Sequence, residues 1–473
     1  MTQQDREQIK VARERAVLVA VQLPKATVPL QARLLELHAL ADTAGAVIVG
    51  EMTQKMRLPK GKTFLGKGKV EELVGLIKLV DAGVAIFDHD LSPAQIRNLE
   101  QACEVKIIDR SELILDIFAR RATTHAAKLQ VEVAQLQYTY PRLRAMWDHL
   151  GQITGGAPVG IGTRGPGEQQ LEIDRRLVQR RRKQLKRELD RIHDRTVRQV
   201  EKRNADHHTV GLVGYTNAGK SSLFNKLTEG GAFANDQLFA TLSTRVERWV
   251  LGGGAQVLVS DTVGFIRDLP HHLVASFRST LEETVHGDML VVVVDVSEDG
   301  AQERLRTVLE TLDAIGATDQ YRQLVLNKID RLDRSDELLG WLSRHPDAIP
   351  VSAKTGEGLN RLAEVVRETV FGPVHALKIR LPLSDAAAVA FLERRTEVLD
   401  RDYQGEDVIM EARLGRRQAQ ELQSHTRNAT IDDMPLAQQL DVIWPPVISA
   451  DDSCRIPLHR VQAPEAGWGR TPA

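Results

Sequence analysis

The run Gly214-Tyr215-Thr216-Asn217-Ala218-Gly219-Lys220-Ser221 narrows the possible folds of this chain more than any other feature. The strand-like Thr209–Val213 precedes it and the helix-like Ser222–Leu227 follows. A glycine-rich turn of this spacing between a strand and a helix is a phosphate cradle. Its glycines let backbone N–H groups turn inward, the helix N-terminus adds a favourable dipole, and Lys220 supplies a point charge to the β- and γ-phosphates. The hydroxyl of Ser221 is the candidate protein ligand for Mg²⁺, and Ser222 joins it in the nucleotide-binding set. A strand and a helix joined in this way call for an α/β fold with a parallel sheet. Taken alone, the loop leaves kinases and ATPases that use adenine nucleotides open.

Three further elements select the base. Asp261-Thr262-Val263-Gly264 follows the β-run Gln256–Ser260; its carboxylate is suited to hold magnesium through water and its glycine N–H to meet the γ-phosphate. Asn327-Lys328-Ile329-Asp330 ends the apolar strand Leu324–Leu326. An ionised Asp330 only accepts hydrogen bonds, so it pairs with the ring N–H and exocyclic amine of guanine, donors that adenine does not present there. A site built for such bonds rejects a ligand lacking them by several powers of ten. Ser352-Ala353-Lys354, after the strand Ile349–Val351, is placed for backbone contact with the guanine oxygen. The order and spacing of these motifs, at the carboxyl ends of parallel strands, match where α/β sheets bind ligands. Together they resemble the small GTPases of the translation-factor class. In Phe239-Ala240-Thr241-Leu242-Ser243, Thr241 is the candidate second magnesium ligand on the loop that senses the γ-phosphate. Lys220, Thr241 and Gly264 form the expected catalytic set. Phe265 stands where Ras-like enzymes carry the glutamine that orients water, and it offers that water no hydrogen bond. Slow hydrolysis by the free protein, accelerated by a partner, is therefore expected.

The nucleotide unit needs only part of 473 residues, and two to four domains are expected from that length. From Ala16 to Ala122, strand-like Ala16–Val21, Ala46–Val49, Val84–Asp88 and Val105–Ile108 alternate with helix-like Pro29–Ala41, Lys69–Val80 and Ser92–Ala102. The pattern predicts a parallel sheet covered by helices over residues 1–122. Pro29, Ser92-Pro93 and Ser111-Glu112 mark helix starts. The segment Lys55–Lys69 carries six basic residues and no acidic one, either a solvated surface or a phosphate contact. Residues 123–205 read as an antiparallel helical hairpin. Leu129, Val133 and Leu136 line one arm, Leu171, Val178, Leu185 and Ile192 the other, with Leu189 beside them. Between the arms, DHLGQITGGAPVGIGTRGPG is too rich in glycine for a helix to persist. The expected nucleotide domain covers 206–372, and 373–424 forms a small α+β module. The module is read from the strand-like LKIRLPL, helix-like Asp385–Arg394, strand-like Asp407–Ala412 and helix-like Arg416–Gln423. The segment 425–473, with Pro445, Pro446, Pro457, Pro464 and Pro472, is expected to be a partly disordered tail.

Net charge is −1, yet Glu168–Ala205 holds thirteen Lys/Arg against seven Asp/Glu, a local excess near +6. Such an arm suits a polyanion, or equally a salt-bridged coiled-coil face with no ligand. The N-terminus MTQQDREQIKVARER lacks the apolar core of an export signal, and the apolar run Met289–Val294 falls far short of the roughly 20 residues that span a bilayer. Cys103 and Cys454 have no CxxC spacing, and His271-His272 has no carboxylate at ligand distance, so neither disulfide nor zinc is expected. These features fit a cytoplasmic protein.

The motifs GYTNAGKSSLFN, LFATL, DTVGFIRDLP, NKID and SAKTGEGL, together with FDHDLSPAQIRNLE, DRSELILDIFARRA, KLQVEVAQLQY and GIGTRGPGEQQLEIDRR, resemble the HflX family of ribosome-associated GTPases. The resemblance covers most of the chain to about residue 372. It implies GTP and GDP as ligands, Mg²⁺ as cofactor, and docking of the N-terminal domain and hairpin on the large ribosomal subunit, with the glycine-rich tip near ribosomal RNA. It also implies a role in splitting stalled or idle ribosomes. Two places depart from the family pattern: Ser243-Thr244-Arg245-Val246 after Thr241, and EQQLEIDRR where the family tends to ETQLETDRR. A switch acting on a protein partner through the hairpin or the C-terminal module is the competing reading.

Overall fold

The computed structural model describes residues 14–24, 28–153, 166–206, 208–228, 239, 244–252, 254–267, 287–318, 320–332 and 335–444. Among the described residues, three sheets and a helical hairpin follow one another along the chain.

The first sheet contains β1 (Arg15–Gln22), β2 (Val47–Lys55), β3 (Val84–Phe87) and β4 (Lys106–Ile108), all parallel in the order β2-β1-β3-β4. Residues 16–21 of β1 are all apolar and all buried, because a central parallel strand has helices on both faces. Alternate side chains go to opposite layers. Ala16, Leu18 and Ala20 meet α1 (Leu30–Thr43) and α4 (Arg110–Arg121), while Val17, Val19 and Val21 meet α2 (Lys67–Val80) and α3 (Pro93–Cys103). The N-cap of α3 is Ser92, whose hydroxyl accepts from Gln95 N while Gln95 reaches back to Ser92 N, with Pro93 in the first turn. At α4 the expected start is shifted. Asp109 is the cap and accepts from Glu112 N, while Ser111 lies inside the helix and donates to Asp90. β2 runs six residues past the predicted Val49, so Lys55 is strand rather than loop.

The hairpin is α5 (His125–Ile153) and α6 (Pro166–Asp206). Its arms are antiparallel: Glu132 meets Arg181, Tyr140 meets Gln179, and His125 meets Glu188, so contact numbers fall on one arm as they rise on the other. Leu129, Val133 and Leu185 are the buried seam, with Leu136, Leu189 and Ile192 against it. The glycine-rich residues 154–165 lie outside the described residues.

The second sheet has the order β10-β9-β8-β5-β7-β6, built from β5 (Thr209–Gly214), β6 (Arg245–Gly252), β7 (Ala255–Asp261), β8 (Met289–Asp295), β9 (Tyr321–Asn327) and β10 (Ile349–Pro350). Only the edge strand β6 is antiparallel. Helices α7 (Lys220–Leu227), α8 (Ala301–Ala314), α9 (Ser335–Arg344) and α10 (Leu359–Phe371) accompany this sheet. A single buried core runs from the first sheet into the second, taking in Leu37, Ile114 and Phe118 on one side and Val263, Phe265, Leu290 and Val292 on the other.

The third sheet is antiparallel, in the order β12-β13-β11-β14-β15, from β11 (His375–Pro382), β12 (Glu397–Gln404), β13 (Asp407–Leu414), β14 (Thr430–Ile431) and β15 (Met434–Pro435). Helices α11 (Ala386–Arg395), α12 (Arg416–His425) and α13 (Leu436–Ile443) pack on it. The sequence pattern fades near Ser424, yet this unit continues to Trp444, whose indole N–H donates to Pro373 O at 2.6 Å. Two-residue strands and an eight-residue helix carry too few periodic positions to be read. The usable signal is Asp432-Asp433, both at positive φ (51° and 62°), which turns β14 into β15 as an Asp-rich hairpin turn does. Residues 445–473, with the five tail prolines and Cys454, lie outside the described residues, as do His271 and His272. Among the described residues no helix is long and apolar enough to cross a membrane, and no group of three or more His, Cys, Asp or Glu is placed to hold a metal ion. Cys103 is buried, and that burial pushes its thiol up to about 11.

His208 stands where the hairpin enters β5. Its Nε2 is 3.0 Å from Glu421 on α12 and its Nδ1 3.7 Å from Asp288, which Arg417 also contacts at 3.0 Å. Burial opposes a charged ring here, but the carboxylates of Asp288 and Glu421 outweigh it and raise the His208 pKa above its ordinary value. A group raised in the folded state stabilises fully below its unfolded pKa, near 6.5, and loses that contribution as pH rises through the folded value. The melting temperature of His208→Gln is therefore expected to lie below wild type at pH 6 and to converge with it toward pH 9. A constant gap across that range would contradict this role.

Candidate nucleotide site

The carboxyl ends of β5, β7, β9 and β10 lie on one edge of the parallel sheet, and local geometry there leaves little choice of residue. Gly214 passes so close to β8 that an added Cβ would lie 2.3 Å from Val293 O. Gly219, at φ 88°, caps α7 with its Cα against the side chain of Asn327, where a Cβ would lie 2.3 Å from Nδ2. Asn217 is also left-handed, at φ 62°, as asparagine tolerates. Lys220 is buried, and its ammonium donates to Gly214 O and Tyr215 O at 3.2 and 2.9 Å. Burial lowers its pKa to about 8, against the opposing pull of Asp261.

Asn327 joins the cradle to the base-reading loops. Its Nδ2 donates to Ala218 O at 2.9 Å, and its Oδ1 accepts from Ala353 N at 3.1 Å. Lys328, at φ 65°, reaches Asn217 O at 2.9 Å and pairs with Asp295 at 2.6 Å. A lysine in the left-handed region is strained, and two strong partners hold it there. Ile329 N donates to Val351 O. Asp330 is exposed, and Ser352 Oγ donates to its Oδ1 at 2.6 Å and so orients the carboxylate. Lys354 is exposed beside it. The motif pattern assigns Ser352 only a backbone contact; its orienting hydroxyl becomes visible only in three dimensions.

At the phosphate end, Ser221 Oγ donates to Asp261 Oδ2 at 2.7 Å, while Ser222 is exposed on α7. A hydroxyl and a carboxylate in contact are hard oxygen donors of the kind magnesium takes, and an ion sharing its other positions with phosphates and water needs no larger protein cluster. Thr262 is buried and its hydroxyl donates to Leu212 O, a structural bond. Val263 is buried in the core. Gly264 lies against the cradle: a Cβ there would be 2.9 Å from Lys220 Nζ and from Thr216 Cα. Phe265 pairs with the loop through Phe265 N to Gly214 O (3.0 Å) and Thr216 N to Phe265 O (2.7 Å), and its ring is buried.

Not every expected residue meets the cleft. Phe239 has its ring buried edge-on against Phe118 of α4, centroids 4.6 Å apart, so any nucleotide contact falls to its backbone. Ala240, Thr241, Leu242 and Ser243 lie outside the described residues. The ring of Tyr215 points away from the cradle, and its hydroxyl donates to Glu36 of α1 at 2.5 Å and accepts from Arg267 N at 2.8 Å. Neither Glu36 nor Arg267 was legible as part of the site.

The family description "GTP-binding GTPase N-terminal" matches residues 31–119, "GTP-binding GTPase Middle Region" 121–203, "50S ribosome-binding GTPase" 209–328 and "HflX C-terminal domain" 339–433. A GTPase HflX of Escherichia coli K12 is 44% identical over 357 residues, covering 74% of this chain and 82% of that protein. One of Lacrimispora saccharolytica is 41% identical over 408 residues, covering 86% and 94%. The chain belongs to the HflX family of GTPases. Among solved structures, a GTP-binding protein from Sulfolobus solfataricus in complex with GDP is similar at 24% identity, with a TM-score of 0.41, over 75% of this chain and 98% of that one. As an HflX GTPase the chain binds and hydrolyses GTP, and the last family match carries its third sheet into the family as well.

Lys220 gives this GTPase a pH dependence. A phosphate in the cradle would favour the charged amine, so nucleotide binding is expected to raise a pKa that burial lowers to about 8. Affinity for GDP should be flat below pH 8 and weaken above it, approaching about tenfold per pH unit until the bound-state pKa is reached. Fluorescence titrations from pH 7 to 9.5 check this, and an affinity unchanged at pH 9.5 would contradict it.

Proposed function

We propose that this GTPase docks on the large ribosomal subunit and its ribosomal RNA when GTP is bound, and splits stalled or idle ribosomes. The observation that carries the reading is α6. Arg180, Lys183, Lys186, Arg187 and Arg191 are all exposed along it, on an arm that leads directly into β5 of the nucleotide unit. A row of exposed cations suits a phosphate backbone, which a salt-bridged coiled coil would not require. The family description matched over 209–328 names 50S ribosome binding, in the same direction.

Within the site, the cradle 214–221 holds the phosphates, Lys220 neutralises the β- and γ-oxygens, and Gly264 N–H meets the terminal phosphate. Asp330, oriented by Ser352, accepts from the guanine ring N–H and amine, and the backbone of 352–354 meets the guanine oxygen. Ser221 and Thr241 would ligate Mg²⁺ directly and Asp261 through water. Bound there, the ion offsets charge that develops on the phosphate oxygens. Phe265 contributes no group to the attacking water, since its ring is buried in the core. The free protein is thus expected to hydrolyse slowly, with the ribosome as accelerator.

Single-turnover GTP hydrolysis with and without large subunits tests the partner and the chemistry together. Acceleration by the subunit is expected, weakening as salt rises and reduced severalfold or more in an Arg180→Glu, Lys183→Glu double variant. A rate indifferent to subunits would overturn the ribosomal reading. For the base, Asp330→Asn is expected to lower GTP affinity by about a hundredfold or more and to admit xanthosine triphosphate, whose carbonyl takes the place of the guanine amine. Unaltered GTP binding by that variant would remove Asp330 from the site.

A further inference from the structure

The third unit meets the nucleotide unit along a seam where the two backbones touch. Gly254, in the turn between β6 and β7, lies so close to the third unit that an added Cβ would fall 2.1 Å from Thr396 C. Gly415, just before α12, is placed as tightly against the end of α10, where a Cβ would lie 2.3 Å from Phe371 O. Residues adjoining these contacts line a cavity of 340 Å³: Ala255, Arg367, Val374, Glu397, Arg413 and Gln418. That volume is at the small end of ligand pockets, enough for a compact polyatomic group. None of the lining residues belongs to a nucleotide motif.

Arginines along the seam are otherwise paired. Arg416 meets Asp441 at 2.7 Å and Arg417 meets Asp288 at 3.0 Å. Arg367 of α10 has no carboxylate against it among the described residues, and its Nε is buried without a protein acceptor. A buried donor with no protein partner calls for an acceptor from outside the chain. Arg413 of β13 is 3.4 Å from Glu397, long for a charge-assisted bond, and both side chains are partly exposed, so the pair holds neither group firmly. Gln418 is buried with both arms engaged, its Oε1 by Gly415 N and its Nε2 by Arg395 O, and serves as wall. The polar groups left to a ligand are two guanidinium forks, one on each unit, and one carboxylate. A matching ligand needs acceptor oxygens for the forks and an O–H for the carboxylate, which only accepts. Sulfate and ionised carboxylates bring oxygens but no O–H. Hydrogen phosphate brings both, and two cations against one anion favour its charge.

We propose that this cavity binds a phosphate group carrying a hydroxyl, held by Arg367 of the nucleotide unit and Arg413 of the third unit, with its O–H donated to Glu397. Two sources share that chemistry: inorganic phosphate, which the GTPase reaction itself releases, and the terminal phosphate of a monoester. Either one bridges α10 to β13 and so fastens the third unit to the nucleotide unit.

The test is the melting temperature of the full chain, with GDP and magnesium saturating the nucleotide site, titrated with inorganic phosphate, methyl phosphate, sulfate or chloride at matched ionic strength. At about pH 6, near the second pKa of a phosphate monoester, both phosphates carry an O–H and sulfate does not. A saturable rise of about 3 °C is expected in at least one of the two phosphates, because a ligand of the folded state stabilises it by mass action. The larger rise names the source, and sulfate is expected to give a markedly smaller one. Arg367→Gln and Arg413→Gln are each expected to abolish the rise while GDP affinity stays within about twofold, which reports a folded nucleotide unit. No rise in either phosphate overturns the proposal. So does a rise as large in sulfate, or one that either variant keeps, since general exclusion of strongly hydrated anions from the surface produces that pattern.

Discussion

The candidate nucleotide site depends on the side chain of Asn327. Its amide donates to Ala218 O in the phosphate cradle and accepts from Ala353 N in the loop after β10, so segments more than a hundred residues apart in sequence share one hydrogen-bonded group. An amide is the residue type this position needs, because one arm must donate and the other accept. Buried as it is, a lost partner would leave a backbone polar group unsatisfied, at about 1–3 kcal/mol each. The tight approach of Gly219 to Asn327 follows from the same contact. The phosphate cradle and the loop proposed to read the base are thus held at a fixed separation by one amide.

The units around this site are joined through it rather than merely in series. The core of the first sheet continues into the second, with Phe118 against Phe239 on the switch side. The charged cluster of Glu36, Asp88, Arg110 and Arg267 adds directional contacts to that apolar surface. On the opposite side, His208 ties the start of β5 to α12. Removing one partner from a buried charge cluster is costly because the remaining charges lose their compensation. Each of these contacts has a partner within a few residues of a candidate nucleotide motif or of the strand that carries one.

Much of this was legible in the sequence where local chemistry dictates structure. The cradle, the alternation of strands and helices before Ala122, the cap at Ser92 and the antiparallel hairpin each follow from short-range pattern, and the structure carries the same elements. The family and the GTPase activity followed from motifs in fixed order. What escaped was long-range or short. Glu36 sits on a helix whose sequence reads as a generic amphipathic surface, and its partners Tyr215 and Arg267 lie 179 residues and more away. Ser352 was visible as part of a motif, but its hydroxyl bond to Asp330 depends on how two loops meet in space. The strands Thr430–Ile431 and Met434–Pro435 are too brief for any period, and only their left-handed Asp432-Asp433 turn marks them. Phe239 belonged to a motif by position while its side chain answered to the core.

The central claim is that one preformed site reads phosphate and guanine together. Calorimetric titration of the full chain with GDP and with ADP, at the same magnesium concentration, tests it most directly. The account predicts saturable binding of GDP and an affinity for ADP weaker by about a thousandfold or more, since adenine leaves the carboxylate of Asp330 without donors. Comparable affinities for the two nucleotides would contradict it.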